Sequence, residues 1–209
     1  MNLKISQMFA FLFALSFLGS SHASLIGVLA ATPGGTDYQA YYDDVADLTW
    51  LQDANAAGAG MSWSSANTWV AGLDVDGVTG WRLPDALNGD GTGPCLGYSC
   101  TGSELGNLFY NVLGGVAGQS ITTTHNSNFD LFSNIQSNAY WTETDAGFGD
   151  AWVLRLSDGY QYHRGQAANS YYAWAVHSGN VAGAVPVPAA LYLFGSGLLG
   201  LVIQRRRKH

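Results

Sequence analysis

The chain has 209 residues, of which 47% are hydrophobic, 13% aromatic and 11% charged. This length fits one sizeable domain with tails, and the apolar content excludes a disordered chain. Residues 24–184 carry three arginines against all 15 acidic residues, which leaves a local charge of −12. A surface this acidic repels phosphate backbones, so we expect no nucleic-acid partner.

Residues 1–23 have the pattern of a secretory signal peptide. Lys4 gives a positive start, residues 8–18 form an almost unbroken apolar run, and small residues lead up to Ala23. The run is shorter than the roughly 20 residues that cross a bilayer, which favours cleavage between Ala23 and Ser24 over a permanent N-terminal anchor. We therefore expect residues 24–184 to be an exported domain.

The predicted elements of this domain follow one another without a visible repeat or linker. They are strands at 38–42 and 48–51, a helix from Trp63 with Ser62 as its cap and Gly72 at its end, a short strand at 80–83, an irregular insert at 85–102, a second helix after Thr101, and strands at 139–142, 151–156, 160–163 and 171–176. Two helices against a largely antiparallel sheet predict an α+β domain.

Two local patterns carry much of this prediction. Thr101 and Glu104 have the spacing of a capping box for the second helix, whose apolar stripe is Leu105, Leu108, Phe109 and Val112 and whose end is Gly114-Gly115. In the late strands, Ser157-Asp158-Gly159 predicts a hairpin turn. Trp152, Leu154 and Leu156 alternate with Val153 and Arg155, which predicts a strand with one buried face.

The only cysteines, Cys95 and Cys100, lie in the turn-rich insert. In an oxidising compartment a local disulfide is the leading interpretation. A zinc site would need two further ligands, and neither a second cysteine pair nor paired histidines stand nearby in the sequence.

The C-terminal 25 residues combine a Pro-x-Pro element, a glycine-containing apolar segment at 189–203 and a basic tail. The residues that define this order are Pro186, Pro188, Ala189, Gly195, Gly197, Arg205, Arg206 and Arg207. The pattern resembles the PEP-CTERM sorting signal, with Val187 in place of the glutamate of the name motif. The resemblance implies a sorting signal at 185–209 that contains a transmembrane helix and the basic tail, recognition by an exosortase, and delivery through the inner membrane to the cell surface or exopolysaccharide matrix of a Gram-negative bacterium. The alternative is an ordinary C-terminal membrane anchor.

A second resemblance covers residues 38–178. The motifs that carry it are 48–53 (LTWLQD), 63–66 (WSSA), Gly80-Trp81-Arg82-Leu83-Pro84, Glu104-Leu105, 140–142 (YWT) and 171–176 (YYAWAV). They resemble the Lcl C-terminal domain family, a domain of unknown function whose members are thought to adopt a C-type-lectin-like fold. The family's named member is an adhesin that recognises sulfated polysaccharide. We expect Arg82 to pair with Asp85 or Glu104, and Trp50, Trp81, Trp141 and Trp174 to face the core.

Catalytic side chains are available but form no recognisable motif. Asp158, His163, Glu143, Asp145, His177 and His125 are each interpreted as solvated surface residues, because 15 acids on a surface place some pairs together by chance. Formylglycine-generating enzymes share the broader fold and use two cysteines, but Cys95 and Cys100 lie in the mid-chain insert instead of near the final strands. We therefore expect no enzyme activity.

Two acidic turns offer oxygen atoms that suit Ca²⁺. They contain Asp74 and Asp76, and Asn88 and Asp90. Neither completes a calcium-binding loop, so solvent loops without a cofactor are favoured, and Ca²⁺ stays an alternative.

Aromatic residues suggest a ligand site on the late strands, because sugars stack on aromatic faces. Tyr160, Tyr162, Arg164 and Tyr171 are the first candidates. The expected function is a non-catalytic binding or adhesion module for a glycan or a protein. With so few cations, a neutral glycan, a protein or a Ca²⁺-bridged anion fits better than a sulfated polyanion. The alternative is a structural biofilm or envelope component without a specific ligand.

Overall fold

The computed structural model describes residues 24–183. The predicted signal peptide at 1–23 and the predicted sorting signal at 185–209 lie outside the described residues. None of the helices within 24–183 has the length and apolar character needed to cross a bilayer.

The described part is an α+β structure with two antiparallel sheets. Its strands are β1 (Leu25–Ala30), β2 (Tyr38–Asp43), β3 (Leu48–Leu51), β4 (Ala139–Gly147), β5 (Asp150–Arg155), β6 (Tyr160–Gly165) and β7 (Val176–Ser178). Its α-helices are α1 (Trp63–Ala71) and α2 (Glu104–Asn107), and short 3₁₀-helices lie at Ser127–Leu131 and Val181–Gly183. One sheet has the order β1-β2-β3-β7 and the other β4-β5-β6, so the single predicted sheet is in fact two.

Helix α1 begins and ends where the sequence predicts. The Ser62 hydroxyl accepts a hydrogen bond from the Ser65 amide at 3.3 Å, and the amide of Gly72 donates to the carbonyl of Thr68 at 3.3 Å. A serine cap satisfies one of the amides that the first helical turn leaves free. Both predicted boundaries of this helix are confirmed.

Helix α2 differs from its prediction at its start, whereas the helical segment stops at Gly114 as predicted, where φ is 74°. Its N-cap is Ser103, whose hydroxyl accepts from the Gly106 amide at 3.2 Å, while Thr101 is exposed. The predicted capping box of Thr101 and Glu104 is wrong, because Ser103 is the N-cap and Glu104 is then the first helical residue, where its carboxylate binds Arg82. After Asn107 the chain continues as a π-helical turn, Leu108–Val112, so the apolar stripe does not follow one regular helix.

Two strand predictions also need correction, and one observed strand was not predicted. The segment 80–83 makes a single bridge between Arg82 and Val176 instead of a strand. The strand predicted at 171–176 is replaced by β7, and β1 has no counterpart among the predicted elements. On β5, Val153 and Leu154 are both fully buried, because the second face of this sheet is covered as well.

One hydrophobic cluster, from Val28 to Val181, forms the core. Trp50, Trp81, Trp141 and Trp174 are at most 2% exposed, as predicted. Three of their indole N–H groups donate to backbone carbonyls at 2.7 to 3.0 Å, which removes the cost of burying a polar group.

The predicted partner of Arg82 is confirmed as Glu104. Nη1 of Arg82 donates to Oε2 of Glu104 at 2.7 Å and Nη2 to Oε1 at 2.6 Å, a bidentate geometry. Burial acts to lower the pKa of the Arg82 guanidinium, but the hydrogen bonds to Glu104 and the negative charges of Glu104, Glu143 and Asp85 together raise it. Oε2 of Glu104 also accepts from the Asp85 amide at 2.7 Å.

We expect Glu104→Gln to destabilise the fold, because an amide retains only one oxygen acceptor for these three donors. The free energy of unfolding should fall by about 1.5–3 kcal/mol, the range for hydrogen bonds to charged groups. Urea unfolding measures the change, with Asp130→Asn as the control because Asp130 is an exposed acid. Equal midpoints for the two variants would contradict a structural role for the pair.

Candidate functional site

Strand β6 presents Tyr160, Tyr162 and Arg164 on one face, because alternate residues of a strand point to the same side. In the antiparallel register with β5, Arg155 lies directly opposite Tyr160. The turn between these strands is the predicted one, and the Gly159 amide donates to the carbonyl of Arg155 at 2.7 Å. A two-stranded ribbon thus brings tyrosines and arginines together.

The disulfide loop extends this ribbon. Cys95 and Cys100 form the predicted disulfide. Between them, Gly97 pairs with Gln161 of β6 through two backbone hydrogen bonds of 2.9 and 2.8 Å. This pairing places the Tyr98 ring 4.8 Å from the Tyr160 ring in an edge-to-face arrangement.

Gln161 anchors the loop from the opposite face of β6. Its side chain is fully buried. Nε2 donates to the carbonyl of Cys95 at 2.8 Å, and Oε1 accepts from the hydroxyl of Ser103 at 2.7 Å. Because Ser103 also caps α2, one buried amide holds the disulfide loop, β6 and the start of the helix in register.

The two arginines of this face have different partners. Arg155 forms a bidentate pair with Asp158 in the turn. Burial acts to raise the pKa of Asp158, but hydrogen bonds from Arg155 and the Tyr160 amide prevail and lower it. Arg164 is exposed, and its guanidinium lies 4.6 Å from the centre of the Tyr162 ring.

The four predicted ligand residues therefore do not have equal roles. Tyr162 is only 9% exposed, and burial together with the nearby Tyr171 hydroxyl raises its pKa to about 12. Tyr171 packs against Trp141 with 4.9 Å between ring centres. Tyr162 and Tyr171 thus support the face, whereas Tyr160 and Arg164 remain open to a ligand.

We define the tyrosine–arginine face as Tyr98, Arg155, Tyr160 and Arg164. Sequence reasoning missed Tyr98 and Arg155. Tyr98 is 46% exposed and its neighbour Leu96 is 62% exposed. The sequence does contain a signal for this part of the face. Two large apolar side chains lie inside a six-residue disulfide loop, and a loop this short can hold them exposed to solvent.

The acidic turns considered for Ca²⁺ bind their own chain. Asp74 accepts from the Gly77 amide at 2.7 Å and Asp76 from the Gln39 side chain at 2.5 Å. Asp90 accepts from the amide and hydroxyl of Thr92, and Asn88 donates to the same hydroxyl. Among residues 24–183, no three side chains of His, Cys, Asp or Glu come close enough together to hold a metal ion.

The remaining polar candidates lie in several separate places. His163 contacts Asp150 at 2.6 Å, His125 stacks on Phe129, His177 packs against Trp81, Glu143 lies 3.7 Å from Arg82, and Asp145 accepts from Gln166. Burial raises the pKa of Glu143, and the charge of Arg82 opposes that shift. These contacts are local, and Nδ1 of His177 is buried without a hydrogen-bond partner among the described residues.

Comparisons of the chain with protein-family models, with curated proteins and with solved structures find no match. The family resemblance therefore remains an expectation from the sequence motifs.

We expect Cys95→Ser combined with Cys100→Ser to loosen the loop. Opening a six-residue loop should lower the free energy of unfolding by about 2 kcal/mol through the entropy of the unfolded chain. Hydrogen exchange at the Gly97 amide should speed up, whereas exchange at the Val153 amide inside the sheet should change much less. Unchanged exchange at Gly97 would show that Gln161 alone holds the loop.

Proposed function

We propose that residues 24–183 are the non-catalytic binding module of an exported surface or matrix protein, and that the tyrosine–arginine face binds a neutral glycan. The observation that carries this proposal is the pairing of the Tyr98 and Tyr160 rings, with the guanidinium of Arg155 5.9 Å from the centre of the Tyr160 ring. Tyrosine offers both an apolar ring face and a hydroxyl, and arginine offers several donors in a plane, which together suit a sugar with its C–H faces and hydroxyl groups.

The charges of this face favour a neutral ligand over an anionic one. Asp158 neutralises Arg155, and Arg82 is paired with Glu104 elsewhere. Arg164 is then the one arginine of the described part whose guanidinium makes no salt bridge to a carboxylate. A single cation on a domain with a charge of −12 gives a sulfated chain little attraction.

The family and fold assignment belong to the same proposal. We propose that the domain is a C-type-lectin-like relative of the Lcl C-terminal domain family. Its support is the α+β architecture with two helices and antiparallel sheets, together with the Trp81–Pro84 segment tied to Glu104. The disulfide between Cys95 and Cys100 supports a binding role over a thiol enzyme of the formylglycine-generating type.

The proposal also includes export of the protein through the inner membrane and recognition of its C-terminal tail by an exosortase. The disulfide supports it, because such bonds persist in oxidising compartments. The basic cluster at 205–208 is expected to remain cytoplasmic until the tail is removed.

We expect Tyr98→Ala and Tyr160→Ala each to weaken glycan binding roughly tenfold or more, since an aromatic contact at the centre of an interface commonly contributes over 1 kcal/mol. A glycan array, run with and without Ca²⁺, followed by titration calorimetry on the glycans that bind, measures the change. Tyr42→Ala is the matched control, because Tyr42 is a partly exposed tyrosine on β2 of the other sheet.

Two results of this experiment would contradict the assignment. Tight, metal-independent binding to heparin-like chains would overturn the electrostatic argument. An array without any bound glycan would instead favour the structural alternative, a matrix component without a specific ligand.

For the processing steps, we expect mature protein from the producing cells to begin at Ser24 and to lack residues 205–208. Intact-mass and terminal-peptide mass spectrometry measure both ends at once. Replacing Arg205, Arg206 and Arg207 by alanine should leave unprocessed chain, because the tail loses its cytoplasmic charge. Full-length protein in the inner membrane of wild-type cells would contradict export.

A further inference from the structure

Tyr98 and Tyr160 form the closest pair of tyrosine rings in the described part, and solvent reaches both of them. Their ring centres are 4.8 Å apart, whereas three other tyrosine pairs within residues 24–183 have ring centres 5.6 to 6.0 Å apart. In the 5.6 Å pair, the ring of Tyr140 is fully buried. Tyr98 is 46% exposed and Tyr160 is partly exposed. An oxidant in the solvent can therefore reach two phenol rings that already touch.

Oxidation can join two phenol rings that are in contact. Each phenol gives one electron to the oxidant and releases its hydroxyl proton, which leaves a radical whose unpaired electron is shared with the ortho carbons of the ring. Two such radicals form a carbon–carbon bond between ortho carbons, and the two ortho hydrogens then move as protons to the oxygens. The product, dityrosine, keeps both hydroxyl groups and has lost two electrons and two protons. Hydrogen peroxide takes these up and becomes two molecules of water.

The carboxylate of Asp158 is placed to accept a phenol proton. Its Oδ2 lies 3.5 Å from the Tyr98 hydroxyl. Burial raises the pKa of Asp158 less than the hydrogen bonds from Arg155 and the Tyr160 amide lower it, so this carboxylate is charged at neutral pH. A phenol that passes its proton to a base is easier to oxidise, because a neutral radical forms instead of a cation. We therefore expect Tyr98 to be oxidised first.

Neighbouring contacts keep the partner ring beside Tyr98. The Tyr110 hydroxyl accepts from the Ser99 amide at 2.9 Å and donates to the carbonyl of Gly159, the residue before Tyr160, at 2.8 Å. The disulfide also restrains the loop that carries Tyr98. The exposed ring of Tyr98 can still turn about its own side-chain bonds, which moves an ortho carbon toward the Tyr160 ring. A radical on Tyr98 thus has its partner at a high effective concentration.

We propose that Tyr98 and Tyr160 are a site of oxidative cross-linking, at which hydrogen peroxide acting with a haem peroxidase joins the two rings within one chain. The contact between the rings and the restrained loop favour this pair over the other tyrosines. Coupling between copies is disfavoured, because acidic copies repel one another. The new bond ties the disulfide loop to β6 at a second point.

This inference goes beyond the glycan proposal and does not rest on it. Cross-linking needs no bound sugar, so protein that binds no glycan can still form the bond. Protein that fails to cross-link can likewise still bind a glycan. Either proposal can therefore fail alone.

The first test uses protein purified from the cells that produce it, treated at low concentration with hydrogen peroxide and a haem peroxidase. We expect a monomer with the fluorescence of dityrosine as the main product. After pepsin digestion, mass spectrometry should find residues 98 and 160 in one cross-linked peptide pair, two hydrogen atoms lighter than the sum of the two peptides. Mainly dimeric product, or links spread over other tyrosines, would overturn the proposal.

Three phenylalanine variants identify the reacting pair. Tyr98→Phe and Tyr160→Phe each keep the ring and remove the hydroxyl, and each should abolish the link. Tyr38→Phe is the matched control, because Tyr38 is also partly exposed and its ring centre lies 6.0 Å from that of Tyr41. The control should give the same yield as the unaltered protein. Thermal melting checks that each variant is folded, and an undiminished yield from either Tyr98→Phe or Tyr160→Phe would contradict the assignment.

A second experiment separates the effect of the fold from the reactivity of the two residues. It uses a small light-activated one-electron oxidant, which works in buffer and in urea alike. In buffer the links should join mainly residues 98 and 160. In urea they should spread over many tyrosine pairs, and the share of the 98–160 link should fall about tenfold or more, because the partner ring is no longer held nearby. An equal share under both conditions would overturn the proposal that the folded arrangement selects this pair.

Discussion

The bidentate pair between Arg82 and Glu104 is the interaction on which the domain's assembly depends. The short segment at 82–85 contacts β7 of one sheet, β4 of the other and the start of α2. The backbone of Arg82 exchanges two hydrogen bonds of 2.9 Å with Val176 of β7, and the carbonyl of Pro84 accepts from Glu143 of β4 at 2.9 Å. Glu104 at the start of α2 holds this segment in place. Both sheets and a helix are therefore joined through one partly buried charge pair, whose loss would leave a charge without its partner.

The sequence predicted best those features that depend on neighbouring residues. Helix α1 and the turn at 157–159 were predicted from caps and turn residues, which act within a few positions. Helix α2 is capped by Ser103 instead of Thr101, because the sequence offers two hydroxyl residues close together and the spacing to Glu104 favoured the wrong one. Val153 is fully buried on the face expected to be open, and the alternation of residues along one strand does not show whether its second face is covered.

In the candidate site, too, the sequence predicted the local arrangement but not the contacts between distant residues. The alternation of Tyr160, Tyr162 and Arg164 along one strand was enough to place them together. The sequence could not show that Tyr162 lies under Arg164, nor that the disulfide loop brings Tyr98 against Tyr160. That second contact arises from the pairing of Gly97 with Gln161, which are 64 positions apart, and from the buried amide of Gln161.

The scarcity of cations has a further consequence for the lifetime of the domain outside the cell. Proteases of the trypsin type cut only after arginine or lysine, and residues 24–183 offer them just three such positions. Arg155 and Arg164 lie within paired strands, and Arg82 is bridged to β7. A protease must first pull the backbone out of this pairing, which requires local unfolding. The domain should therefore survive digestion by such enzymes for as long as its sheets stay intact.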